Sequence, residues 1–368
     1  MLYTYPDYFD KFICTADKCS DTCCSGWQIV IDEKSIKRYK DGKDFPTLNM
    51  PDYIDFNEGV FKQHKDRRCF FLRDDNLCEL CKQYGEEALC KTCHLYPRHI
   101  EEFENVRETT LSISCPEACR IILNNKDKVT FISKEDDTDE EYEDFDFLLY
   151  STLLDAREVM IEIIQNRDID IDTRAGMVLG LSHDIDKRLN DGDLFSTSDL
   201  LDYVSTEKAI KKSDKKVKAF TQDSEKIYSY MHRKFKKLFT LEPISYDWIN
   251  LYTESEMSLY RNGAGYYKEW SDRFDSYVKE NIDDFDIKME QLLLYFTYTY
   301  FCGAVYDSEI YGKGKLSVYS VYYIRELIKA IFIRNGGEIS NEEIEDIALR
   351  YSRELEHSDE NLSRIEKF

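Results

Sequence analysis

Eleven of the twelve cysteines lie in the first third of the chain: Cys14, Cys19, Cys23, Cys24, Cys69, Cys78, Cys81, Cys90, Cys93, Cys115 and Cys119; Cys302 stands apart. Thiols used only as small core residues would be scattered, so this clustering calls for a chemical reason. Disulfides, a structural zinc and an iron–sulfur cluster are the three available. Disulfides need an oxidising compartment, and the opening MLYTYPDYFDKFIC has neither a basic n-region nor an apolar h-region. The same spacings in a cytosolic chain point to metal, with zinc and iron–sulfur both open.

Cys19-Ser-Asp-Thr-Cys23-Cys24 sets three thiols around a turn favoured by Asp21 and Thr22. Vicinal Cys23 and Cys24 must point apart, so one of them packs or serves a second centre. The run from Cys69 to Cys78 reads as two short strands around Asp74-Asp75-Asn76, a hairpin that brings its end thiols together. Cys78-Glu-Leu-Cys81 and Cys90-Lys-Thr-Cys93 are C-x2-C pairs, a spacing used by zinc and by iron–sulfur sites. Residues 86–93 have helical character, which would set Cys90 and Cys93 on one face. Cys115-Pro116 follows an alternating stretch, 109–114, read as a strand. Cys81, Cys90 and Cys119 are assigned to packing. The expected metal ligands are Cys14, Cys19, Cys23, Cys24, Cys69, Cys78, Cys93 and Cys115.

These residues carry a resemblance. Pro6-Asp-Tyr8, Phe12-Ile-Cys14, Cys19-x3-Cys23-Cys24-x-Gly26-Trp27, Cys69-Phe-Phe-Leu72, Cys93-x2-Tyr96-Pro97-Arg98 and Ser114-Cys115-Pro116-Glu117 together resemble the flagellin lysine-N-methylase family. A broader group of small cysteine-rich domains, thought to bind zinc or iron, shares the CC, C-x-F-L and C-x2-Y-P elements. The resemblance is dense over residues 3–120; beyond them the chain is similar in length and general pattern. It implies a [4Fe-4S] cluster, S-adenosylmethionine as methyl donor and surface lysines of flagellin as acceptors. The alternative is a non-enzymatic zinc- or iron–sulfur-binding protein whose helical part docks a partner.

No glycine-rich turn between strand and helix marks a donor site. Gly263-Ala-Gly265 and Gly312-Lys-Gly314 have no strand before them and read as turns. The radical motif C-x3-C-x2-C fails at its third position, because Cys24 follows Cys23 directly. An iron held by three thiolates would keep a position for the amino-acid end of the donor. Arg98 is the candidate for pairing with the donor carboxylate, its plain alternative being a salt bridge to one of the many acids. His94 adjoins Cys93 too closely to reach the same ion easily, and His183-Asp184 has no nucleophile beside it. Methyl transfer needs a neutral amine, so a carboxylate or tyrosine would have to take the lysine proton.

The elements that position these residues divide in two. A strand is expected at 27–32, a short helix capped by Asp32 at 32–40, then the hairpin, helix and strand above. This makes a small cysteine-rich α+β module over residues 1–133. The acidic run at 134–146 is a solvated linker or loop. Residues 147–368 form a larger all-α domain, with apolar positions at helical spacing in 149–164, 172–188, 200–218, 224–239 and 247–280, the last broken near Asn262. Residues 284–304 are apolar nearly all round and predict a central buried helix, and 318–334 and 341–364 close the bundle.

A formal net charge of -23 excludes a phosphate-backbone partner and disfavours an anionic membrane surface. A lysine-bearing protein would be drawn in by the same field. No apolar run reaches membrane-spanning length, and cytoplasm is the expected compartment.

Overall fold

The structure, a computed structural model, describes residues 1–138 and 145–368. Strand β1 (Leu2–Pro6) opens the chain and helix α1 (Glu33–Asp41) follows the first cysteines. The Asp32 carboxylate accepts from Ser35 N at 3.0 Å, which satisfies an open amide of the first turn as the sequence predicts. A single turn, α2 (Met50–Tyr53), leads into the two-residue strands β2 (Ile54–Asp55) and β3 (Val60–Phe61). Helices α3 (Glu79–Tyr84) and α4 (Lys91–Leu95) carry the two C-x2-C pairs. Between residues 27 and 32 there is no extended strand, only the bridge of Val30 to Val60. The alternation nevertheless holds, with Ile29 and Ile31 buried and Val30 exposed. The 69–78 segment is likewise a turn closed by the Leu72–Cys78 bridge rather than a strand pair. Ile29, Ile31, Tyr39, Phe45, Phe61 and Phe71 form a compact core for this part, with Cys69 and Cys90 buried in it.

Strands β4 (Arg98–Phe103) and β5 (Val106–Leu111), helix α5 (Pro116–Leu123) and strand β6 (Phe131–Glu135) complete the N-terminal third. The sheet order is β4-β5-β1-β6. β1 runs parallel to β5, with Tyr3 opposite Arg107, and antiparallel to β6, with Thr4 opposite Ser133. The sequence reading missed β1, because a parallel partner a hundred residues away leaves no local turn signal. Lys134 and Glu135 of the acidic run belong to β6, while residues 139–144 lie outside the described residues.

The remainder is helical. α6 (Phe147–Ile164), α7 (Ile171–Asn190), α8 (Thr197–Val204), α9 (Glu207–Thr221) and α10 (Ser224–Phe235) come first. α11 (Tyr246–Tyr260) and α12 (Gly263–Asn281) separate at Asn262 as expected. α13 (Phe285–Tyr300), the short α14 (Ala304–Asp307), α15 (Ile310–Arg334), α16 (Asn341–Glu356) and α17 (Asp359–Lys367) end the chain. Gly312 and Gly314 lie inside α15, not in a turn. A Cβ on Gly314 would sit 2.2 Å from the Ser182 hydroxyl of α7, so glycine lets the two helices touch.

From Lys288 to Thr299 α13 is buried all round, and three of its polar side chains reach partners on other elements. Lys288 donates to Asn124 Oδ1 at 2.8 Å, Gln291 to the carbonyl oxygens of Asn125 and Asp127, and Glu290 accepts from Arg167 and Arg174. The sheet does not have a core of its own. Tyr8, Phe103, Leu111 and Ile113 and, from α5, Ile122 share one continuous apolar cluster with Leu153, Phe296 and Ile324 of the helices.

Candidate metal centre

Three of the short helices start at a cysteine. Cys78 precedes α3, Cys90 precedes α4 and Cys115 precedes α5, each extended at the cap position. The first-turn amides of each helix lie toward its capping sulfur. Such amides favour a thiolate, and C-x2-C spacing returns the second thiol to the same end of the helix.

The segment bearing Cys14, Cys19, Cys23 and Cys24 has little secondary structure and is held from outside. Trp27 Nε1 donates to Cys23 O at 2.9 Å and Asn76 Nδ2 to Cys19 O at 3.2 Å. Cys69 N donates to Cys24 O at 2.8 Å. From α16, Arg353 donates to the carbonyl oxygens of Asp21 and Ser114 and pairs with the Asp21 carboxylate at 2.6 Å. His357 of the same helical end packs its ring 4.4 Å from Trp27 and 6.0 Å from Tyr96. The sequence gives no local sign of either contact, since the partners lie more than two hundred residues apart.

These segments enclose a cavity of about 560 Å³. Cys14, Cys19, Cys23, Cys24, Cys78, Cys81, Cys93 and Cys115 line it, with Arg98 and His94. Seven of the eight expected ligands are therefore brought to one space. Cys69 lies behind the wall in the apolar core beside Cys90, and Cys81 faces the cavity. Cys119 is fully buried on α5, donating toward Glu345 O at 3.6 Å. Cys302 is buried in the helical core.

Burial pushes the Cys78 and Cys69 thiols up to about 12 and Cys115 up to about 11. Two neighbouring pairs share a proton. The hydrogen bond from Cys23 holds Cys24 down to about 7 and raises Cys23, and the bond between Cys93 and Cys90 lowers Cys90 and raises Cys93. Among the described residues no three Cys, His, Asp or Glu side chains already converge as a metal-binding group. The chemistry of the donor set, eight thiols on one cavity with helix-start amides behind two of them, Cys78 and Cys115, fits a thiophilic metal or an iron–sulfur cluster.

Arg98 is exposed at the cavity mouth, its guanidinium 5.5 Å from the centre of the Phe12 ring. Among the described residues it pairs with no carboxylate. Behind the cavity runs a chain of hydrogen bonds. Tyr96 OH lies 3.0 Å from Ser114 Oγ, Ser114 Oγ 2.6 Å from Ser112 Oγ, and Ser112 donates to Glu356 at 2.7 Å. Tyr300 also donates to Glu356, at 2.8 Å, as does Tyr295.

Comparison with known proteins identifies the class to which the helical domain belongs. A family model described as the FliB lysine N-methylase C-terminal domain matches residues 157–368. The chain belongs to this family, which places it among the protein-lysine methyltransferases. It is 32% identical over 145 residues to the flagellar biosynthetic protein FliU of Salmonella muenchen, covering 36% of this chain and 83% of that protein. It is 32% identical over 139 residues to lysine-N-methylases of Salmonella typhimurium and Salmonella choleraesuis, covering 36% of this chain and 35% of each of them. The match thus spans about a third of the length of those two relatives. No solved structure matches. No helix among the described residues is long and apolar enough to cross a membrane.

Proposed function

We propose that the protein transfers methyl groups from S-adenosylmethionine to lysine Nε of flagellin in the cytoplasm, and that its cysteine-lined cavity holds a [4Fe-4S] cluster. The observation that carries this reading is the family match over the helical domain, which packs directly on the cavity through Arg353 and His357. Cys14, Cys19, Cys23, Cys24, Cys78, Cys93 and Cys115 are the ligand candidates on the cavity wall, and Cys81 joins them by position. Cys69, the eighth candidate from the sequence, would need to turn out of the core. A cluster bound there supplies a thiolate-held iron core that stiffens a segment with little secondary structure of its own. Zinc is the alternative occupant of the same thiols. The sequence offers Arg98 to the donor carboxylate, and its unpaired guanidinium at the cavity mouth is consistent with that.

The second reading is a zinc- or cluster-binding protein that docks a partner without chemistry. Anaerobically purified protein, incubated with S-adenosylmethionine and flagellin from the same organism, separates the two by peptide mass. Methylated lysines together with iron and acid-labile sulfide in near-equal amounts support the enzyme. Cys93→Ser should lose iron and activity, whereas Cys119→Ser, whose thiol faces Glu345 away from the cavity, should keep both. Colourless protein with stoichiometric zinc overturns the cluster. Unmodified flagellin in the presence of intact cluster and bound donor favours docking.

A further inference from the structure

A second cavity is larger than the thiol-lined one. It measures about 710 Å³ and opens between α7, α9, α10, α12 and α15, within the size range of small-molecule sites. All its lining residues fall inside 157–368, the span matched by the lysine N-methylase family model, and none is a cysteine.

Its walls are tyrosine faces with sorted charge. Tyr230 and Tyr319 join hydroxyls at 2.9 Å. Between them lies Lys234, its Nζ 4.4 Å from the Tyr319 ring centre and 5.5 Å from that of Tyr230. Lys234 donates to the oxygen of Phe368, the last residue, and Lys237 reaches the same oxygen at 3.3 Å. Burial, with Lys237, Lys315 and Arg233 nearby, holds its ammonium down to about 8. Lys234 and Lys237 thus converge on one oxygen, with Lys315 and Arg233 close by, and a further anionic group beside Lys234 would relieve the repulsion within this cationic cluster. The buried charges of α15 are already matched. Arg325 bridges Asp172 at 2.9 Å and Asp275 at 3.0 Å, and buried Glu326 accepts from Tyr260, Tyr267 and Lys329. Half-buried Tyr322 stands beside the Arg325–Asp172 pair.

We infer that this tyrosine-walled cavity is where the methyl donor binds, taking a nucleoside that carries an amino-acid tail, with the base against the tyrosine rings and the carboxylate at Lys234. The inference rests on the methyltransferase reading and locates its donor. Aromatic faces accept a purine plane, the Arg325-held carboxylates suit a ribose diol, and Tyr rings tolerate a sulfonium as they already do an ammonium. The cysteine-lined cavity offers the same ligand Arg98, Lys82 and the rings of Phe12, Trp27 and Tyr96, but its space is shared with eight thiols, and this assignment takes the donor carboxylate from Arg98 to Lys234. The open side of the cavity leaves the donor methyl reachable by a lysine of another protein. Donor binding and metal binding are then separate events in separate parts of the fold.

The test is binding rather than turnover. S-adenosylhomocysteine is titrated into the full-length metal-loaded protein by calorimetry, and amide exchange is followed in its presence. Expected are protection of residues 216–234 and 319–329 and an at least tenfold weaker Kd in Lys234→Met. Lys234→Arg should restore most of the affinity, and adenosine alone should bind equally to wild type and Lys234→Met. Tyr322→Leu provides a second variant should Lys234→Met lose its native circular dichroism. Protection confined to residues 12–27 and 93–117, with affinity lost in Arg98→Gln and kept in Lys234→Met, overturns the assignment and leaves the donor reading standing. No binding by any preparation overturns the assignment and the donor reading together.

Discussion

Glu354 has a well-defined environment and a sign that can be worked out. Its side chain is 2% exposed on α16, and its carboxylate takes the amides of Ile244 at 2.6 Å and Ser245 at 2.8 Å. Burial outweighs these amides and Arg67, and pushes the group up to about 7 from 4.5. The folded chain therefore binds more protons here than the unfolded chain between pH 4.5 and 7. The contribution is fully present below pH 4.5 and is lost as pH rises through 7, by at most about 3 kcal/mol. Chemical denaturation across that range should show stability falling with pH, and Glu354→Gln should flatten the slope whatever it does to the absolute value. An unchanged slope would mean that the amides keep the carboxylate ionised. At the same scale, the cysteines were legible because C-x2-C and adjacent CC spacings restrict where thiols can go. Cys69 and Cys81 were the hard pair. One residue in a turn decides which thiol enters the cavity and which the core, and spacing does not carry that.

Between elements, close approach sets the helical packing. α7 and α15 touch where Gly314 meets Ser182, with no room for another carbon. Gly314→Ala should overpack this contact and cost on the order of 1–3 kcal/mol, read as a lower midpoint in urea, and Ser182→Gly should recover part of it. Gain of stability from the alanine, through helix propensity alone, would show that the helices can part freely. Sequence reading saw G-x-G and inferred a turn, since glycine within a helix carries no local sign of the partner it faces. Reading succeeded where the signal was periodic or was a cap. The all-round apolar run became α13, and Asp32 became the cap of α1. It divided less well where helices abut. Residues 200–218 read as one helix are α8 and α9, with Thr206 capping the second through Ala209 N, and 341–364 are α16 and α17 with Ser358 capping.

Across the whole molecule, the sheet is tied to the helices by a buried charge pair as well as by shared apolar contacts. Arg157 of α6 grips the Glu108 carboxylate of β5 with two nitrogens, donates to Tyr298 O of α13 at 3.1 Å and lies 4.8 Å from the Tyr298 ring centre. Both partners are almost fully buried, at 7% and 5% side-chain exposure. Removing one leaves the other's charge without water or partner, which costs about 3–5 kcal/mol, whereas removing both is far milder. Arg157→Met should therefore destabilise strongly, and Arg157→Met with Glu108→Gln should recover most of the loss. The melting of the sheet and of the helices, followed by exchange at β5 and at α13, should stay coincident in the wild type because they share one core. In Arg157→Met the two should still melt together, at a lower temperature. Separate transitions would mean that the apolar contacts between β5, α6 and α13 do not suffice to couple them. The cysteine module, with its own core around Phe61 and Phe71, is joined to the helices by Arg353 on Asp21, by His357 against Trp27 and by Arg67, which donates to Ile244 O. Removal of the proposed metal should accordingly loosen residues 14–93 first, read as faster amide exchange there, and leave the tyrosine-walled cavity able to hold the proposed donor.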